Sequence, residues 1–152
     1  MEQAKVSFNR LIQGQVIAFP LKISYSLLQM ATILLIEDDI VLSGVYEKKL
    51  QNDGYTVVKA SDGEEGLKMA LSIHPDLILL DVMLPKRDGL SVLHEVRQDT
   101  WGKSVPVVIL SNISPSETDT ESLKKDSPSL YLVKVDNNPK NVSEKISKLL
   151  KK

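Results

Sequence analysis

Four acidic residues stand directly after runs of aliphatic residues: Glu37, Asp38 and Asp39 follow Ile33, Leu34, Leu35 and Ile36, and Asp81 follows Leu77, Ile78, Leu79 and Leu80. Aliphatic runs without polar alternation read as strands covered on both faces, so two strands deliver carboxylates to one end of a sheet. In open parallel sheets, ligands sit outside the carboxyl ends of the strands, where the strand order reverses. Carboxylates gathered there repel one another unless a cation joins them, and hard oxygen ligands suit magnesium. The chemistry outlined is that of a phosphate.

The elements that must position these acids alternate regularly from Thr32 onward. Helical spacing over Leu42, Val45, Tyr46, Lys49 and Leu50 is stopped by Asp53-Gly54. A second strand is expected at Tyr55 to Ala60. A capping box, Asp62 with Glu65, opens a helix through Leu67, Ala70 and Leu71, with Pro75 just beyond its end. The third strand ends at Asp81, and the loop Val82 to Gly89 leads into a helix carrying Leu90, Leu93, Val96 and Arg97. Val105 to Leu110 and Leu130 to Val133 are the fourth and fifth strands. Asn138-Pro139, cap then first helical residue, starts a last helix that buries Val142, Ile146, Leu149 and Leu150. Between Ser114 and Ser129 the only large apolar residue is Leu123, so the fourth helix, capped by Ser114 to Glu117, is expected to be weakly held. The fold class that follows is α/β, a doubly wound five-stranded parallel sheet.

The composition allows one ordinary core: 152 residues, 42% apolar and 26% charged. Nineteen basic against twenty acidic residues give a formal charge of −1, which favours neither nucleic acid nor an anionic membrane. The absence of cysteine fits a reducing compartment, so the cytoplasm is expected. Residues 1–30 are read as an extension that is weakly ordered or strand-like, and residues 31–152 as the domain. Within the extension, Ile17, Phe19, Leu21, Ile23, Tyr25 and Leu27 alternate with smaller or polar residues, and Pro20 would confine such a strand to an edge. Its longest apolar stretch, Val16 to Leu21, is too short to span a bilayer.

Taken together, these residues resemble the receiver domains of two-component response regulators, across about Thr32 to Lys152. Glu37-Asp38 is similar to that family's acidic pair, Asp81 to its phosphorylated aspartate, Ser111 to its hydroxyl residue, Lys134 to its lysine and Tyr131 to its switch aromatic. Pro85 and Asp88-Gly89 match the family's loop after the phosphorylated residue. The resemblance implies a flavodoxin-like sheet of order 2-1-3-4-5 and Mg2+ held by Glu37, Asp38, Asp81 and the Met83 backbone carbonyl. It also implies a phosphoryl group accepted from a histidine kinase or phosphotransfer protein. Lys134 and Ser111 would then contact that group, and Tyr131 would relay the change to the face formed by the fourth helix, fifth strand and fifth helix. Such a domain catalyses only its own phosphorylation and dephosphorylation and signals to a downstream protein of unknown identity. A stand-alone receiver, with no nucleic-acid partner and no membrane span, is expected.

Two departures from the family pattern carry consequences. Val135 follows Lys134 where the family usually has proline; a non-proline cis bond costs roughly 3 kcal/mol, so this joint is expected to be trans or strained. Met83 and Ile113, two residues beyond Asp81 and Ser111, offer no amide or carboxylate to orient water, so slow loss of the phosphoryl group is expected. The rival readings are a degenerate receiver acting as a constitutive docking module and a magnesium-dependent phosphatase. The latter lacks its second aspartate, because Val82 and Met83 follow Asp81. His74, His94, Trp101 and Lys124-Lys125 are assigned no role.

Overall fold

The computed structural model describes residues 6–12, 15–21 and 30–151. The chain divides into two compact units, Met1–Met30 and Ala31–Lys152. In the first, β1 (Val6–Ile12) and β2 (Gln15–Leu21) form an antiparallel two-stranded sheet. The expected alternating strand is therefore formed as far as Leu21, while its continuation, residues 22–29, lies outside the described residues. Pro20 is accommodated because both strands of a two-stranded sheet are edges.

The second unit contains β3 (Thr32–Ile36), α1 (Ile40–Asn52), β4 (Thr56–Ala60), α2 (Gly63–Ile73), β5 (Leu77–Leu80), α3 (Gly89–Gln98), β6 (Val107–Ser111), α4 (Thr120–Asp126), β7 (Leu130–Val133) and α5 (Pro139–Leu150). The strands are parallel and ordered β4-β3-β5-β6-β7, which is the expected 2-1-3-4-5 arrangement. Successive side chains of a strand point to opposite faces. Leu34, Ile36, Ile78, Leu80, Val107 and Ile109 accordingly pack toward α2 and α3, and Ile33, Leu35, Leu77, Leu79, Val108 and Leu110 toward α1 and α5. The central strands are almost wholly buried on both faces. That is why their sequence reads as uninterrupted aliphatic runs.

Local chemistry sets the ends of the helices. Asp39 Oδ1 accepts the Leu42 amide at 2.9 Å at the start of α1, and Gly54, at φ 93°, supplies the left-handed residue that follows its end. Asp62 caps α2 through the Glu65 amide, but Glu65 returns its carboxylate to Ser61 rather than to the cap's own amide. The fourth helix departs most from expectation. Ser114 and Glu117 form a capping box on a 3-10 turn, Pro115–Glu117, and α4 begins only at Thr120, capped by Asp119. A second local cap, Asp119 with the Glu121 and Ser122 amides, competes for the helix start in a segment where burial gives little preference.

The loop joining β5 to α3 is clamped from two sides. Lys86, at φ 64°, places its ammonium 2.6 Å from Asp62, and the Gly63 amide donates to Pro85 O. Gly89 lies so near the backbone of Asp81 that a Cβ there would stand 2.0 Å from the Asp81 carbonyl oxygen. Only a hydrogen fits, so α3 starts directly against the strand end that carries Asp81.

Candidate functional site

The order β4-β3-β5 reverses direction in the chain at β3 and β5, and in-register pairing of Ile36 with Leu80 brings Glu37 and Asp81 to the same level at the carboxyl ends. Backbone bonds secure that level, with the Asp81 amide donating to Ile36 O and the Glu37 amide to Ala60 O. Asp38 follows on the turn into α1 and is exposed, whereas Glu37 and Asp81 are buried. Glu37, Asp38 and Asp81 each place a carboxylate oxygen within 4.8 Å of the others.

Lys134, next after β7, reaches across the sheet end into this cluster. Its Nζ lies 2.6 Å from Asp81 Oδ2 and 2.7 Å from Glu37 Oε2, with the lysine side chain only 10% exposed. The Lys134–Val135 peptide is trans, as are all peptides among the described residues, so no proline is needed for the lysine to arrive. Burial opposes charging of Lys134, yet its bonds to Asp81 and Glu37 hold the ammonium above its ordinary pKa. Burial, reinforced by the charge of Asp81, lifts the Glu37 carboxyl above the usual carboxylate range despite its contact with Lys134.

Three carboxylates face one ammonium here. The surplus negative charge, confined to oxygen donors on converging backbones, fits a hard divalent cation better than a second amine. Met83 enters this region through its amide, which donates to Asp81 Oδ1 at 3.2 Å, while its side chain is exposed.

Ser111 and Tyr131 sit one and two strands away. Ser111 ends β6 and is fully buried; its hydroxyl oxygen accepts the Ile113 amide at 3.3 Å. Among the described residues no hydrogen bond joins Ser111 to the acidic cluster. Tyr131 is half-buried on β7, donates its hydroxyl to Ile113 O at 2.8 Å and lies 2.9 Å from Thr118 Oγ1. Tyr131 therefore ties down the loop that leaves Ser111. Thr118 also donates to Ser114 O, and no sequence signal marked it.

The Response regulator receiver domain profile matches residues 33–146. This chain belongs to that family. Among curated relatives, the receiver is 34% identical over 125 residues to the probable transcriptional regulator ycf27 of Porphyridium aerugineum, covering 82% of this chain and 50% of that protein. It is 42% identical over 82 residues to the DNA-binding dual master transcriptional regulator RpaA of Synechocystis sp., covering 54% of this chain and 34% of the relative. Among solved structures, the chemotaxis response regulator CheY4 of Vibrio cholerae superposes with a TM-score of 0.73 at 29% identity, over 80% of this chain and all of that one. The response regulator TrrA of Thermotoga maritima, solved in complex with Mg(2+)-BeF, gives 0.70 at 32% identity over the same shares.

The chain spans a third to a half of the length of these curated relatives. Because they are transcriptional regulators, the expectation of a stand-alone receiver without a nucleic-acid partner is not supported by them. A charge balance read on a receiver speaks only for the receiver. Among the described residues no helix is long and apolar enough to cross a membrane.

Proposed function

We propose that this receiver accepts a phosphoryl group on Asp81 from a histidine kinase or phosphotransfer protein, with Mg2+ bound by Glu37, Asp38, Asp81 and the Met83 carbonyl. The observation that carries this reading is the convergence of three carboxylates and the Lys134 ammonium at one switch point of the sheet. When bound, a magnesium ion supplies charge neutralisation between an anionic nucleophile and an anionic phosphoryl group. A carboxylate oxygen of Asp81 bonds to phosphorus as the phosphorus–nitrogen bond of the donor breaks, and the departing imidazole keeps that electron pair and takes up a proton. Lys134, already paired with Asp81, pairs with a phosphoryl oxygen once the carboxylate has become an acyl phosphate.

The surroundings suit a protein donor. Ile40 and Val41 on the first turn of α1, Met83 after β5 and Val135 after β7 are all exposed, Ile40 and Val135 by more than four-fifths. They form an apolar rim on three segments at the carboxyl end of the sheet, and a docking protein would cover it while presenting its histidine to Asp81.

On the output side, Ser111 would leave the Ile113 amide to donate to the phosphoryl group, loosening the segment that Tyr131 and Thr118 hold. The face of α4, β7 and α5 would then repack. Beryllofluoride with Mg2+, added while amide and Tyr131 NMR signals are followed, should shift residues 111–118 and α4 in the wild type. An unchanged spectrum would replace this reading with that of a constitutive docking module.

A further inference from the structure

We infer that His94 and Asp126 form a proton-sensitive latch that fixes the end of α4 to α3. Asp126 is the last residue of α4 and is buried, its side chain 6% exposed. An anion at the negative end of a helix dipole, out of contact with water, needs a partner. Among the described residues the hydrogen-bond partner of its carboxylate is His94 Nδ1, 3.2 Å from Oδ1 and 3.1 Å from Oδ2. His94 belongs to α3, which Val92, Leu93 and Val96 seat firmly in the core. The same helix holds the α4 end a second time, because Arg97 donates to Asp126 O at 2.9 Å and to Ser127 O at 3.3 Å.

These clasps matter because α4 has little else. It is seven residues long, and Leu123 is its apolar contact with the core. The Arg97 clasp carries a permanent charge, whereas an imidazole is charged only when protonated. A protonated His94 makes a charged pair with Asp126. A neutral one offers a single hydrogen bond, and only in the tautomer that carries the proton on Nδ1.

The other charges facing this cleft are engaged or distant in role. Arg87 lies 3.8 Å from Glu95, Asp88 accepts from the Ser91 amide and hydroxyl, and Asp119 accepts from Ser122. Lys125, on α4 itself, lines the cleft, and among the described residues it makes no ion pair with Asp126. The proton on His94 therefore decides how tightly α4 is held. On the proposed reading of the α4 face, acidification would bias the resting position of the output surface; the latch itself does not rest on that reading.

The test uses the full chain without any phosphodonor. Protection factors of the α4 amides, corrected for intrinsic exchange, are measured from pH 5.5 to 8 in the wild type, His94→Gln and His74→Gln. A partly exposed ion pair predicts about two- to fivefold greater protection at the acid end in the wild type and in His74→Gln, and no such dependence in His94→Gln. Protection in the wild type that does not change with pH overturns the latch, and so does a dependence that survives His94→Gln. Because the wild-type profile alone can refute it, a variant that fails to fold does not rescue the idea.

Discussion

At the scale of single residues, the proposed chemistry depends on how one carboxylate is made ready to accept an anion. Asp81 is buried and held by the Met83 amide on one oxygen and Lys134 on the other, so both oxygens are already oriented. Met83 offers no side-chain amide or carboxylate to orient an attacking water. Met83→Asn should shorten the lifetime of the phosphorylated state, by about tenfold if its amide orients water to the extent of ~1.4 kcal/mol; a lifetime at least as long as that of the wild type, followed by intact mass, would count against this role. Tyr131 makes a different prediction. Removing its hydroxyl in Tyr131→Phe releases Ile113 O and Thr118, so amides of residues 113–118 should exchange faster while β5 and β6 stay protected. Uniform change across the domain would mean general destabilisation instead.

At the scale of elements, two joints carry the site. Gly89 abuts the Asp81 carbonyl, and Gly89→Ala must push α3 or the strand end aside. A loss of about 1–3 kcal/mol in urea unfolding is expected, with weakened Mg2+ binding; unchanged stability would show that the joint yields easily. At the start of α2, Asp62 is held below the usual carboxylate range, first by the Glu65 amide and then by Lys86. A depressed folded pKa contributes stability above the unfolded value of about 4, and that contribution disappears as pH falls through the folded value. The urea midpoint of the wild type should therefore drop more steeply below about pH 4 than that of Asp62→Asn, which keeps a capping oxygen but has no charge to lose. Parallel profiles would remove Asp62 from the acid response.

The elements also show what can be read before folding. The five core strands were legible because burial on both faces leaves continuous aliphatic runs, and Asp53-Gly54 and Asn138-Pro139 mark helix ends by chemistry confined to a few neighbouring residues. The start of α4 was not, since a capping box at Ser114 and a separate cap at Asp119 compete where Leu123 alone reports burial. Pairs such as Lys86 with Asp62 and His94 with Asp126 lie 24 and 32 residues apart, and no period or spacing announces them. The acidic pair and Asp81 stand out because each directly follows an aliphatic run and the sheet aligns strand ends, whereas Lys134 is reached only through the family resemblance. That the Ser111 hydroxyl oxygen accepts the Ile113 amide is a side-chain orientation that sequence does not encode.

At the scale of the whole receiver, a buried sheet carries the charges at its end, and α4 is the helix without a buried apolar residue. α1 and α5 cover one face, α2 and α3 the other, with buried aliphatic side chains throughout, while α4 is tethered mainly by polar contacts. On the proposed reading, such a division would let a local charge change be read at a distance without disturbing the core. On the proposed reading, a divalent cation joins the Lys134 ammonium at Asp81. Intact-mass measurement after incubation with a small phosphodonor tests it most directly. The wild type with Mg2+ should gain one phosphoryl group, while chelated wild type, Asp81→Asn and Lys134→Ala should gain none or gain it far more slowly. Equal incorporation in Asp81→Asn would contradict the account.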